Sequence, residues 1–147
     1  MSECDINSDD YFLSLPFNVL CNEFSHCSFK IGKELGKAVV KFTMFDPVTD
    51  NLIGGFTLES PHDYPALRDC LDFGYIQVEQ PYWHQGIATR WLKLVIAWAQ
   101  RYTKYEWLVY SAGNEKSGGL AQRAGFQQER SYHSNMKQGY YRFKFQR

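Results

Sequence analysis

The sequence predicts a mixed α+β (α/β) domain, and three observations carry that expectation. Short runs such as "KAVVKFTMF" and "LIGGFTLES" are β-branched, aromatic and strand-length. One longer segment, "RWLKLVIAWAQRY", repeats large apolar residues at helical spacing. Around that helix the order is strand, helix, strand, which makes the two central strands parallel.

The elements follow in order. "MSECDINSDD" is polar and expected to fray. "SDDYFLSLPFNVLCNEF" can begin a helix capped by Ser8 or Asp9, interrupted by Pro16. "KAVVKFTMF", the turn chemistry of "DPVTDN" and "LIGGFTLES" make an antiparallel hairpin. "PHDYPALRDC", with two prolines, reads as a loop. "FGYIQVEQ" is the next strand, ended by Pro81.

The main helix is expected to start near Gln85. Ile87, Trp91, Leu94, Val95, Trp98 and Tyr102 form its apolar stripe, widened by Leu92, Ile96 and Ala99. "YEWLVYSA" is a further strand. "NEKSGGLAQRAGF" is a short helix, with Asn114 at its start and Gly125 as its stop. "QQERSYHS", "NMKQG" and "YYRFKFQR" close the chain as strand, turn and strand.

The 147 residues suit a single domain, 1–147, with one core. Sixteen basic residues balance sixteen acidic ones, so no net field draws the chain to nucleic acid or an anionic membrane. The longest apolar run, "LVIAWA", is too short to span a bilayer. Cys4, Cys21, Cys27 and Cys70 form no C-x-x-C pair. His26 beside Cys27 lacks a second ligand cluster, so no metal site is expected. Reduced thiols and a polar, acidic N-terminus fit a cytoplasmic protein without a signal peptide.

The joint "YWHQGIAT", residues Tyr82 to Thr89, carries the first functional signal. A strand that runs through a glycine turn into a helix exposes backbone N–H groups at the helix start. Those donors and the helix dipole suit a phosphate or diphosphate. Gly86 and Ala88 let the backbone approach a ligand closely. Taken alone, the glycine serves a steric turn equally well. No G-x-x-x-x-G-K-[ST] and no G-x-G-x-x-G is present, which removes the P-loop and dinucleotide readings.

Together, "GYIQVEQPYWHQGIAT" and "NEKSGGLAQRAGF" resemble the GNAT superfamily of acetyl-CoA-dependent N-acetyltransferases. The family's loop is written R/Q-x-x-G-x-G/A. Here it reads Trp83-His84-Gln85-Gly86-Ile87-Ala88, departing at the first position. Y-W-G-[KQ]-G-[YI]-A-T is a familiar form in the branch resembling ribosomal-protein N-terminal acetyltransferases. That branch also matches Gly74-Tyr75 and the block Asn114, Ser117, Gly125, Phe126. The resemblance runs from about Lys37 to the C-terminus. Residues 1–36 are shorter than the family's usual opening strand and helix pair.

The resemblance implies a mostly antiparallel mixed sheet with a splayed parallel central pair and helices on both faces. It implies acetyl-CoA as co-substrate. The diphosphate would sit on N–H groups from His84 to Ala88, with Trp83 and Thr89 flanking them in the cofactor-binding set. The pantetheine arm would pair like a strand near Val78 and Tyr110. A backbone N–H near Val78 or Glu79 would polarise the thioester carbonyl, and Asn114 would bond the arm or cap its helix.

An acceptor alkylamine has a pKa of about 10 and must lose a proton before attack. Asp72 aligns with the branch's acidic strand-entry position, and Glu59 ends the preceding strand. Glu79 is a third carboxylate. Such carboxylates are more often just solvated strand-end groups. The Tyr that many relatives use to protonate the departing thiolate is replaced by Ala121. Ser117 is then the candidate acid, with Tyr110 and Tyr132 as other donors.

The implied function is transfer of acetyl from acetyl-CoA to a primary amine, of a protein or peptide, by direct attack in a ternary complex. The alternatives are a small-amine acetyltransferase acting on a polyamine or aminoglycoside, a catalytically weak acyl-CoA-binding module, and an enzyme acting on aminoacyl-tRNA. The last would need a basic groove. The C-terminal hairpin offers an edge for a homodimer.

Overall fold

The computed structural model describes residues 5–61, 67–111, 115–129 and 140–147. Two short helices open it. Helix α1 (Asp9–Leu13) is capped by Ser8, whose hydroxyl accepts the Tyr11 N–H at 3.1 Å. Pro16 ends that path, and helix α2 (Phe17–Asn22) starts immediately after it. A single helix with a break, as the sequence suggested, is therefore two helices meeting at Pro16.

Strands β1 (Cys27–Glu34) and β2 (Lys37–Phe45) form an antiparallel hairpin. Its two-residue turn places Leu35 at φ +50° and Gly36 at φ +79°, the left-handed pair that matches strand twist. Strand β1 is an addition to the sequence reading. It lies at the sheet edge, mostly exposed, so it lacks the alternation that would have announced it. Strand β3 (Leu52–Glu59) continues the antiparallel run, as expected.

Strand β4 (Cys70–Val78) pairs antiparallel with β3 and parallel with β5 (Trp107–Ser111). Between them runs helix α3 (Ile87–Tyr102). Helix α4 (Glu115–Arg123) follows, then β6 (Gln127–Glu129) and β7 (Tyr140–Lys144). Among the described residues the sheet has seven strands in the order β1-β2-β3-β4-β5-β7-β6, with β4 and β5 parallel. Asn114 and Tyr132, residues 62–66 within the expected loop "PHDYPALRDC", and residues 130–139, which hold the end of the expected strand "QQERSYHS" and the expected turn "NMKQG", lie outside the described residues.

One face of the sheet is the core. Phe42, Phe56 and Phe73 stack across three strands, with centroids 4.9 and 5.2 Å apart. Phe17 stacks on Trp98, and the Trp98 indole donates to the Pro16 carbonyl at 3.1 Å. These two contacts dock the opening helices on α3. Leu120, Ala121 and Phe126 bring α4 into the same buried cluster. Each of the described helices contributes to this one buried cluster. The predicted stripe of α3 is buried as Trp91, Leu92, Val95, Ile96, Trp98 and Ala99, while Tyr102 is exposed.

Helix α4 ends as its sequence dictates. Gly125 sits at φ +95°. The Phe126 N–H donates to the Ala121 carbonyl and the Gly125 N–H to the Gln122 carbonyl, at 3.0 and 3.1 Å. Those two bonds make a Schellman stop. Among the described residues, no helix is long and apolar enough to cross a membrane.

Candidate active site

The parallel pairing of β4 and β5 runs from Cys70–Trp107 to Phe73–Tyr110 and stops there. Beyond Phe73, strand β4 continues to Val78 while paired only with β3. Among the described residues its other edge is unpaired there. The register shifts between Phe56 and Leu58, so Gly74 and Tyr75 form a bulge opposite Thr57. The glycine is required at this bulge. A Cβ on Gly74 would lie 2.2 Å from Thr57 Oγ1 and 2.8 Å from Glu59 Oε2.

The register also tells which backbone groups face the open edge. The Glu79 N–H donates to the Ile53 carbonyl at 2.8 Å. The pairs Val78–Gly54 and Ile76–Phe56 are therefore the non-hydrogen-bonded ones. The N–H and C=O of Ile76 and Val78 then point away from β3, into the opening. Of the two positions expected to polarise a thioester carbonyl, Val78 has its N–H turned to the opening. The Glu79 N–H is engaged with β3.

The chain then turns through a short 3-10 segment, Gln80–Tyr82, into α3. Tyr82 anchors the turn by donating to Asp46 Oδ2 at 2.9 Å. His84 and Gly86 both take left-handed backbone, at φ +65° and +70°. Nothing lies within 4 Å of a Cβ built on Gly86. The glycine therefore meets a conformational demand, and the space above it is open. Gly86 caps α3 with no side-chain bond, so the first-turn N–H groups have no side-chain acceptor at this cap.

These parts meet in one cleft of about 360 Å³. Ile76 to Val78, Tyr82 and Trp83 to Thr89 line it, together with Leu120 and Arg123 of α4. The expected cofactor residues Val78 and Trp83 to Thr89 are thus gathered around a single opening; Glu79 is not on its wall. Arg123 went unread in the sequence. An Arg in the last turn of a helix usually complements the dipole, and nothing local distinguishes this one. Arg90 folds back one turn and donates to the Gln85 carbonyl at 3.4 Å. The loop holds no Lys or Arg of its own, yet Arg90 donates to it and Arg123 lines the same cleft.

Trp83 is 44% exposed, but its indole Nε1 donates to the Val78 carbonyl at 2.6 Å. The ring is therefore fixed by the strand edge rather than packed into the core.

Asp72 and Glu59 are cross-strand partners, on the sheet face opposite the core cluster. Asp72 is 4% exposed and lies one residue before the splay begins. Cys70 precedes it on the same face. Burial pushes the Cys70 thiol up to about 12, Arg142 opposes this, and Asp69, Asp72 and Glu106 add to it. Arg142 lies over the Trp107 ring at 4.1 Å from its centroid. This face thus carries acidic and basic side chains beside the splay. Ser117 is the third residue of α4; its side chain and Asn114 lie outside the described residues. Tyr110 is buried and packs edge-on against Phe73, at 5.6 Å.

Comparison with known proteins agrees with this architecture. The described order of elements is similar to Tetrahymena GCN5, at 14% identity and TM-score 0.55, covering 74% of this chain and 69% of that one. It is similar to a spermidine N-acetyltransferase from Vibrio cholerae in complex with CoA and spermine. There the identity is 16% and the TM-score 0.53, with 73% and 66% of the two chains covered. It is also similar to RimL, a ribosomal L7/L12 alpha-N-protein acetyltransferase in complex with CoA, at 14% identity and TM-score 0.55. That match covers 73% of this chain and 62% of RimL, less than two thirds of its length. No curated protein matches by sequence. A profile of the acetyltransferase (GNAT) domain, however, matches residues 21–127. The splayed parallel pair, the uncapped helix start beside it and that match over most of the sequence lead to one conclusion: the chain belongs to the GNAT acetyltransferase family, whose members are acetyl-CoA-dependent N-acetyltransferases.

Proposed function

We propose that the protein transfers acetyl from acetyl-CoA to a primary amine of a protein or peptide, within a ternary complex. One observation carries the cofactor half of this reading. The open edge of β4 and the uncapped start of α3 face the same cleft. A long molecule with a diphosphate at one point and amides along its arm matches that combination. The diphosphate lies on the N–H groups of His84 to Thr89, with Arg123 supplying charge from α4. The arm pairs with Ile76 and Val78. The Val78 N–H stabilises the developing oxyanion.

The amine nitrogen attacks the thioester carbon. The C–S bond then breaks, and the nitrogen's proton passes to a carboxylate, directly or through water. Asp72 and Glu59 are the two candidates, and their adjacency on one face supports treating them as a pair. Ser117 is the candidate donor to the departing thiolate. A second reading, a small cationic amine as acceptor, is favoured by the same carboxylate pair and by likeness to the spermidine enzyme.

The test has two stages. Acetyl-CoA at about 100 times its Kd should stabilise the fold by about 2.7 kcal/mol. Gly86→Asp, which places an acid at the cradle, should abolish that gain. Unchanged binding by this variant would remove the loop from the site. A panel of peptides with free N-termini, lysine peptides and polyamines then separates the acceptor classes. Binding without transfer to any of them would leave only an acyl-CoA-binding module.

A further inference from the structure

We propose that Trp83 is a positioning residue that sets the distance between the two halves of the cofactor site. This rests on the acetyl-CoA reading above and deepens it. The cleft has two working parts. One is the open edge of β4, where an extended arm pairs with Ile76 and Val78. The other is the turn and first residues of α3, where a diphosphate sits. They are joined through the short 3-10 segment, whose backbone bonds are local, the Tyr82 N–H to the Glu79 carbonyl and the Trp83 N–H to the Gln80 carbonyl, and whose Tyr82 hydroxyl is tied to Asp46 rather than to either half of the site.

The Trp83 indole bridges that segment. It starts from the first residue of the loop and donates to the Val78 carbonyl at 2.6 Å, five residues back. That carbonyl is one of the groups the register turns toward the opening. The bond therefore joins the arm-pairing strand directly to the phosphate-binding turn. It also gives the Val78 carbonyl a partner, so a strand-like arm meets Ile76 for its acceptor and Val78 for its donor.

A ligand that binds through two linked parts gains from the link only when their spacing matches the site. Each part alone is indifferent to that spacing. This gives the residue a signature that a simple contact or a packing role would not share. Trp83→Phe keeps an aromatic ring on an exposed position and removes the indole N–H together with the five-membered ring that carries it. The ligands are CoA, adenosine 3′,5′-bisphosphate 5′-extended to the diphosphate, and acetylpantetheine.

Binding is measured by calorimetry, or by chemical-shift titration for the weak fragments, alongside the melting temperature of each protein. Trp83→Phe is expected to weaken CoA about tenfold while each fragment stays within about twofold of wild type. Equal weakening of CoA and one fragment would overturn the proposal, because the ring would then be a direct contact for that part. Unchanged CoA affinity would overturn it as well. Equal loss for all three ligands with a lower melting temperature would make Trp83 a folding residue and overturn it too. Failure of the wild-type protein to bind CoA is a separate result, seen before any variant is made, and would refute the acetyl-CoA reading along with this one.

Discussion

Replacing Gly74 with Ala tests the bulge that opens the cleft. The added Cβ would stand 2.2 Å from Thr57 Oγ1, more than an ångström inside ordinary contact. Thr57 is 5% exposed and β-branched, so its hydroxyl cannot swing away freely. Glu59 Oε2, at 2.8 Å, is the end of a longer side chain and yields cheaply. The cost is that of overpacking a closed site, about 1–3 kcal/mol. For a domain of this size, 2 kcal/mol corresponds to roughly 4–8 °C in melting temperature. Scanning calorimetry of Gly74→Ala, Thr57→Ala and the double variant measures it. Removing the Thr57 hydroxyl should restore about 1 kcal/mol of the Gly74→Ala loss. A Gly74→Ala protein that melts within 1 °C or so of wild type would refute the reasoning. So would a cycle with no coupling, because the collision would then lie elsewhere.

Three further outcomes are expected. Asp46 is held below the ordinary carboxylate range, first by the Val48 N–H and then by the Tyr82 hydroxyl. Its contribution is thus present above its unfolded value of about 3.9 and lost as the pH falls through the lowered folded value. Melting curves between pH 3 and 7 should converge for wild type and Asp46→Asn at the acid end; parallel curves would contradict this. Burial raises the Cys70 thiol to about 12, so iodoacetamide at pH 8 should label it only after urea unfolding. Stability should begin to fall as the pH passes the unfolded thiol value of about 8.5. Ser8→Ala deletes the α1 cap and should cost about 1 kcal/mol by urea titration. A loss below a few tenths would mean that the helix does not depend on it.

The sequence was most readable where period and punctuation agreed. The β2–β3 hairpin has apolar runs on both sides of "DPVTDN", and α3 has a continuous stripe between Gly86 and its last turn. Helix α4 announces its end through Gly125. Strand β1 was hidden for a physical reason: an exposed edge strand needs no buried face. Its turn also puts Leu35, a fully exposed β-turn residue with left-handed backbone, where Asn or Gly is usual. At the candidate site, the strand-to-helix turn could be read because a glycine stands before the apolar stripe, where Gly86 takes left-handed backbone at the start of α3. Arg123 was not, since only the packing of α4 beside the cleft gives it meaning. The Trp83–Val78 bond was equally silent, because it depends on which carbonyls the β3–β4 register turns outward.

Helix α3 is treated very differently at its two ends. At its last turn the Thr103 hydroxyl and N–H both donate to the Ala99 carbonyl, at 2.7 and 3.1 Å. The Arg147 guanidinium donates to the carbonyls of Ala99, Gln100, Thr103 and Tyr105. Acceptors that a helix normally leaves to water are taken up there, and a positive charge sits against the negative pole. The first turn, beside Gly86, has no such closure. The helix is therefore a rod clamped at one end and unsatisfied at the other, about 24 Å away over its sixteen residues. The Arg147 guanidinium thus fixes the far end of the helix whose first turn borders the cleft.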